Sequence, residues 1–159
     1  MKDQTNKLER ATRKWWFFAI LICAQFLIMP FSTQNFDFKE IGSIISTTLS
    51  NSFEVRMHDY YIYFQIFTII VLLLLLVLKN KFAKVFNIYV LLSYIAFAVL
   101  QNIALTETYG LSVVTINVLM FLFVAYAWLK EVIKPENDYT FSNLNWKESW
   151  LIPLAFIAF

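Results

Sequence analysis

Four primary amide side chains interrupt the apolar runs of this sequence and are its first candidates for chemistry. They are Gln25, Gln65, Gln101 and Asn117, and Asn102 stands next to Gln101. An amide carries hydrogen-bond donors and acceptors, and its burial in an apolar environment is costly unless they are paired. We therefore expect these amides either to bind a polar ligand or to link neighbouring helices, where such bonds contribute about 0.6 kcal/mol each.

Two stripes of polar residues accompany these amides. The first, with spacings of three, four and three positions, consists of His58, Tyr61, Gln65 and Thr68. The second, with a period of seven, consists of Asn87, Tyr94 and Gln101. Residues with such spacings share one face of an α-helix. We predict that both stripes point into a helix bundle and that the first opens outward.

Several charged residues are expected on the same outer side as the first stripe. Together with His58 of the stripe itself they are Glu54, Arg56, Asp59 and Glu107. His58 with Asp59 suits acid–base chemistry, and a histidine with carboxylates suits a divalent metal. The chain has only one histidine and no HExxH motif, so the simpler expectation is a surface ion pair of Arg56 with Glu54 or Asp59. The chain has two glycines and one cysteine, Cys23, and it lacks phosphate-loop and nucleophile-elbow motifs. We predict no metal and no cofactor.

The elements that must position these residues are long apolar runs. The run 60–78 contains no charged residue and would span about 28 Å as a helix, close to the ~30 Å hydrocarbon core of a bilayer. Overall 60% of the residues are hydrophobic, which exceeds the usual fraction of a soluble domain. Similar runs occupy 15–31, 85–105 and 111–129. No basic face interleaved with aromatic residues indicates nucleic-acid binding.

The predicted fold is an all-α integral membrane protein, a multi-pass bundle with four complete transmembrane helices and the start of a fifth. We divide it into a basic cytoplasmic tail (1–14), the four-helix bundle (15–134) with its outer loop (32–59), a cytoplasmic connection (135–149) and the start of the fifth helix (150–159). The apolar run 151–159 is too short to span, so we expect the fifth helix to continue beyond Phe159. Pro30 and Pro135 should end the first and fourth helices.

The outer loop is predicted to contain one short amphipathic helix on the outer membrane surface. Asp37 is its expected N-cap, and Glu40 stands where a capping box places its acidic residue. Apolar residues then recur at helical spacing, namely Ile41, Ile44, Ile45 and Leu49. The opposite face is small and polar, as expected for a helix at an interface or covering the bundle.

The distribution of Lys and Arg predicts the orientation. Of the 13 basic residues, 11 fall in 1–14, 79–84 and 130–147, and only Lys39 and Arg56 fall on the other side. Cytoplasmic loops carry the basic excess, so we expect a cytoplasmic N-terminus, most simply in the cell membrane. The four amides would then lie at one level, roughly 6–9 Å below the outer boundary.

These expectations lead to three functional hypotheses. The first is a non-enzymatic binding or transport component that admits a small polar or amphipathic ligand from the outer leaflet. Its predicted ligand-binding residues are Gln25, His58, Tyr61, Gln65, Gln101, Asn102 and Asn117. The second is a membrane-embedded enzyme that uses the outward His58 with nearby carboxylates. The third is a scaffold subunit whose polar stripes pack against partner helices.

The topology can be tested by cysteine accessibility. Cysteines introduced at Ser43 and Thr108 should react with a membrane-impermeant maleimide in intact cells, and one at Asn80 should not, because the basic excess places Asn80 inside. Labelling at Asn80 alone would invert the orientation.

Overall fold

The computed structural model describes residues 14–140, in which six α-helices, three short strands and three 3-10 turns follow one another. The helices are α1 Trp15–Leu27, α2 Ile41–Ser50, α3 Phe53–Arg56, α4 Tyr61–Leu78, α5 Ala83–Leu100 and α6 Thr115–Ile133. The strands are β1 Phe31–Ser32, β2 Ile103–Thr106 and β3 Gly110–Val113. The 3-10 turns are Phe38–Glu40, His58–Tyr60 and Lys79–Lys81. The predicted fifth helix lies outside the described residues.

Three helices of the described part are long and apolar enough to cross a membrane. They are α5, α6 and the helical stretch His58–Lys81, which contains α4. For α4 the prediction 60–78 is confirmed almost to the residue, because a long uniform apolar run is an unambiguous signal. Within residues 14–140 a fourth complete span is not found, since α1 has only 13 residues and covers about 20 Å.

The predicted first span, 15–31, is too long by four residues. Helix α1 ends at Leu27, and Phe31 pairs with Val113 in a small sheet. Pro30 explains the early end, because proline has no backbone N–H and disfavours helical geometry in the residue before it.

The prediction of an all-α fold is corrected by a three-stranded antiparallel sheet with the order β1-β3-β2. Strands β2 and β3 form a hairpin in which Ala104 pairs with Ser112 and Thr106 pairs with Gly110. The predicted spans 85–105 and 111–129 are therefore shifted to Ala83–Leu100 and Thr115–Ile133. The two boundaries next to the hairpin were wrong because a short apolar run at the end of a helix cannot be told from a strand by hydropathy.

The predicted helix of the outer loop is confirmed as α2, but its buried face lies against protein. Ile44 and Thr48 are wholly buried and α2 packs on β2 and β3. Asp37 begins the preceding 3-10 turn, and its Oδ1 accepts a hydrogen bond of 3.1 Å from Lys39 N. The cap at Asp37 was thus predicted correctly, one turn ahead of the α-helix itself.

The helices pack unequally. Helices α5 and α6 form a close antiparallel pair, with Tyr94 and Phe97 of α5 against Phe121 of α6. Helix α4 contacts α5 more sparsely, mainly where Phe67 and Thr68 meet Tyr89. Because α1 leads into β1 and α5 and α6 flank the β2–β3 hairpin, one end of the bundle carries the sheet. We call it the sheet end; the other end, at the turn Lys79–Lys81, is the lysine end.

The two glycines provide a stability test of the sheet. Gly110 has a φ of +64°, and a Cβ there would overlap Thr33 Oγ1, which accepts a hydrogen bond from Leu111 N. We expect Gly110→Ala to lower the free energy of unfolding by about 1–2 kcal/mol or more. Gly42 lies in α2 with open space around it, so Gly42→Ala should raise it by about 0.5–1 kcal/mol. Thermal unfolding of both variants in one detergent measures this, and shifts of the same sign would contradict the role of Gly110.

Candidate functional site

Hydroxyl groups, two of which are wholly buried, hold the elements of the sheet end together. Thr48 Oγ1 of α2 lies 2.8 Å from Ser112 Oγ of β3, and both side chains are wholly buried. Tyr109 OH donates to Ser43 Oγ at 3.1 Å, and Tyr109 O accepts from Ser32 Oγ at 2.7 Å. These bonds fasten α2 and β1 onto the hairpin, so the sheet end forms a cap over the neighbouring helix ends.

Asn102 is the wholly buried amide at the junction of α5 with the hairpin. Its Nδ2 donates to Phe97 O at 2.9 Å, and its backbone oxygen accepts from Val114 N at 2.9 Å. The side chain thus caps α5, and the backbone ties the end of α5 to the residue before α6. Asn102 was predicted as a ligand-binding residue, and half of its amide is used structurally.

Two buried oxygens of the sheet end have no hydrogen-bond partner among the described residues. They are Asn102 Oδ1 and Ser52 Oγ, whose residues are 0% and 1% exposed. Ser52 forms a bridge to Ala104, two residues after Asn102 along the chain. A buried acceptor without a partner costs about 1–3 kcal/mol, and such groups in native proteins call for an explanation. Sequence reasoning missed Ser52, because an isolated serine in a loop carries no local signal of burial.

The other predicted amides gather at the same end without bonding one another. Gln65 in the second turn of α4, Gln101 just after α5 and Asn117 in the first turn of α6 are half-buried. Within residues 14–140, no hydrogen bond joins their side chains. The predicted position inside the spans is wrong for Gln101, because α5 ends at Leu100, and Asn117 lies closer to the start of its helix than predicted, because α6 begins at Thr115. Gln25 lies near the end of α1, and its side chain is outside what the structure describes.

The stripe on α4 faces the bundle only in part. His58 and Tyr61 are exposed, Gln65 is half-buried, and Thr68 lies within hydrogen-bond distance of Tyr89 OH on α5. His58 belongs to the 3-10 turn before α4 rather than to the α-helix itself.

The predicted pairing of Arg56 with Glu54 or Asp59 is wrong. Arg56 Nη2 instead donates to Leu105 O at 2.8 Å, which ties α3 to β2. Between residues 14 and 140 the single ion pair is that of Lys134 with Glu136, at 2.9 Å. The same residues contain no group of three His, Cys, Asp or Glu side chains placed to hold a metal.

A second polar cluster, which the sequence did not predict, closes the lysine end. Asn80 Nδ2 donates to Asp138 Oδ1 and Asn80 Oδ1 accepts from Tyr139 N, both at 2.8 Å. Tyr139 OH donates to Asn87 Oδ1 at 2.6 Å, and Asn87 is wholly buried. Glu131 Oε1 accepts from two backbone N–H groups, of Glu136 and Asn137, at 2.8 and 2.7 Å.

These contacts dock the 136–140 segment against the turn between α4 and α5, and they shift two pKa values. The hydrogen bonds from Asn80 and Thr140 lower the pKa of Asp138, because they stabilise its charged form. Burial raises the pKa of Tyr139, since its uncharged form is favoured, and the charge of Glu131 adds to the effect while a side-chain hydrogen bond with Asn137 opposes it. Near neutral pH the Asp138 carboxylate is therefore charged and accepts these hydrogen bonds, and the Tyr139 hydroxyl is protonated and donates to Asn87.

Comparison of the chain with models of known protein families, with curated proteins and with solved structures found no match. What the chain does must therefore be argued from its own residues.

The docked segment gives a stability prediction. Tyr139→Phe removes the donor to Asn87 Oδ1 and leaves a buried acceptor unpaired, so it should lower the free energy of unfolding by about 1–3 kcal/mol. Tyr126→Phe is the matched control, because Tyr126 is 54% exposed on α6, and it should change stability by less than about 0.5 kcal/mol. Thermal unfolding of both variants in one detergent decides the matter, and equal shifts would contradict it.

Proposed function

We propose that this chain is a non-enzymatic binding or transport component of a membrane, which takes up a small polar or amphipathic ligand at the sheet end. The observation that carries the proposal is the pair of buried oxygens, Asn102 Oδ1 and Ser52 Oγ, without partners among the described residues. A ligand with a hydrogen-bond donor, such as a hydroxyl or ammonium group, would satisfy them. Both oxygens lie beside strand β2, where the cap meets the helices.

The half-buried amides of three helices support the same location. Gln65, Gln101 and Asn117 reach the sheet end from α4, α5 and α6. In a hydrocarbon environment an amide needs a partner, and these three supply both donors and acceptors. Together with Asn102 they would give a polar ligand several contacts of neutral character. A neutral set of this kind suits hydroxyl or amide groups better than a strongly charged ligand.

The orientation determines from which side such a ligand would come. The 11-to-2 distribution of basic residues favours the lysine end inside and the sheet end outside. The ligand would then enter from the outer leaflet or from the external medium, through the cap built from α2 and the sheet.

A scaffold subunit is the second candidate, and the exposure of α4 favours it. Only 6% of the most apolar window of this helix is buried by the rest of the described chain. Lipid alone satisfies an apolar surface, but Gln65 on the same helix needs a polar partner, which a helix of another subunit would supply. The enzyme hypothesis finds less support, because His58 is exposed and no bond of the described residues joins it to Glu54, Asp59 or Glu107.

Gln65→Leu separates ligand binding from helix packing. Native mass spectrometry of the protein released from lipid nanodiscs would compare small molecules bound to the wild type, to Gln65→Leu and to the control Ile69→Leu, one turn further along α4 at a side chain that is 52% exposed. A ligand site predicts loss of a bound species by about tenfold in Gln65→Leu only, with nearly unchanged thermal unfolding. An interhelical bond predicts a loss of about 1 kcal/mol or less of stability and unchanged bound species. The second pattern, or no bound species in any sample, would reject the proposal.

A further inference from the structure

An open hollow of about 410 Å³ lies at the lysine end, far along α4 from the amides. Its lining consists of Val77, Leu78, Lys79, Asn80, Lys81 and Thr140. The hollow combines two apolar side chains at the end of a membrane-spanning helix with two ammonium groups immediately after it. We propose that this hollow binds the phosphate-bearing headgroup of an anionic phospholipid.

The position of the hollow suits a lipid headgroup. Helix α4 is uniformly apolar from Ile69 to Leu78, so the next residues reach the interface between hydrocarbon and water. Val77 is 75% exposed and Leu78 is 42% exposed, which leaves an apolar wall for the first part of an acyl chain. Lysines at this depth extend their ammonium groups to the headgroup level.

The described part of the chain provides no ion-pair partner for the lysines of the hollow. Within residues 14–140 neither Lys79 nor Lys81 forms an ion pair. The carboxylates near this end already have partners: Glu131 accepts from backbone N–H groups, Glu136 pairs with Lys134, and Asp138 accepts from Asn80 and Thr140. Asp138 lowers the positive potential of the hollow, but the lining holds two cations against this one neighbouring anion. A phosphate group would complete the charge balance.

The turn that carries the lysines is held in a fixed shape. Lys79 has a φ of +50°, a conformation that a residue with a side chain rarely adopts, and Phe82 N donates to Lys79 O at 3.0 Å. Asn80 is clamped through both ends of its amide, by Asp138 and by Tyr139 N. The two ammonium groups are therefore attached to an ordered backbone, which lowers the entropic cost of binding.

The test uses the purified full chain in detergent, titrated with palmitoyl-oleoyl phosphatidylglycerol or phosphatidylcholine and observed by native mass spectrometry. We expect the phosphatidylglycerol to bind more tightly than the phosphatidylcholine. The double variant Lys79→Gln/Lys81→Gln should weaken phosphatidylglycerol binding by about tenfold. The double variant Lys84→Gln/Lys130→Gln removes as many charges at the same end, outside the hollow, and should change it by less than about twofold.

Three outcomes would overturn the proposal. The first is equal binding of the two lipids. The second is an equal loss of binding in both double variants, which would indicate general charge attraction. The third is complete displacement of the lipid by millimolar inorganic phosphate, which would indicate a site for free anions. Asn80→Ala keeps every charge and releases the turn, so it should weaken phosphatidylglycerol binding several-fold, and unchanged binding would also count against the site. Thermal unfolding confirms that each variant is folded. The inference depends on α4 crossing a bilayer and is independent of a ligand at the sheet end.

Discussion

The junction between α5 and α6 depends on the hydrogen bonds of Asn102. A helix that ends near the membrane surface leaves backbone carbonyls without partners, and in an apolar environment this is costly. Asn102 adds a second donor to Phe97 O, which also accepts from Gln101 N, and its backbone oxygen accepts from Val114 N. The twelve residues from 102 to 113 can then form a turn and a hairpin whose strands satisfy each other.

The rest of the sheet end is built onto this hairpin. Strand β1 pairs with β3 of the hairpin. On the other strand, β2, Ser52 forms a bridge to Ala104 and Arg56 donates to Leu105 O. Helix α2 covers the face that contains Ser112. Each of these elements meets the hairpin through polar groups as well as apolar ones. The sheet end is thus a specific assembly, whereas much of the surface of the helices is apolar and exposed.

The sequence predicted those elements whose signal is local. Helix α4 is one long run without a charged residue, Pro135 follows the end of α6 closely, and the Asp37 cap is read from neighbouring residues. The hairpin was missed because its strands continue the apolar character of the adjoining helices, and only pairing across the turn distinguishes a strand there. That error moved the ends of two helices and with them the predicted depth of Gln101 and Asn117.

The candidate site was predicted only where a residue type is itself informative. Asn102 stood out as an amide beside an apolar run, but Ser52 becomes significant only through its burial under the sheet. The cluster at the lysine end is harder still, because Asn80 and Asp138 are 58 positions apart and each is an ordinary loop residue in the sequence. Its one local indication was the period-seven stripe of α5, which correctly singled out Asn87 as a bundle-facing residue.

The two ends of the bundle differ in the kind of polar chemistry they offer. The interior of the sheet end contains hydroxyls and amides without formal charge, which can be buried at the cost of their hydrogen bonds alone. The lysine end contains ammonium and carboxylate groups, which remain exposed or are tied to backbone N–H groups. The neutral interior of the sheet end suits a ligand that loses its hydration on binding. The exposed charges of the lysine end suit a partner whose charged group stays in contact with water. The two proposed ligands differ accordingly: a small neutral polar ligand suits the sheet end, and an anionic headgroup suits the lysine end.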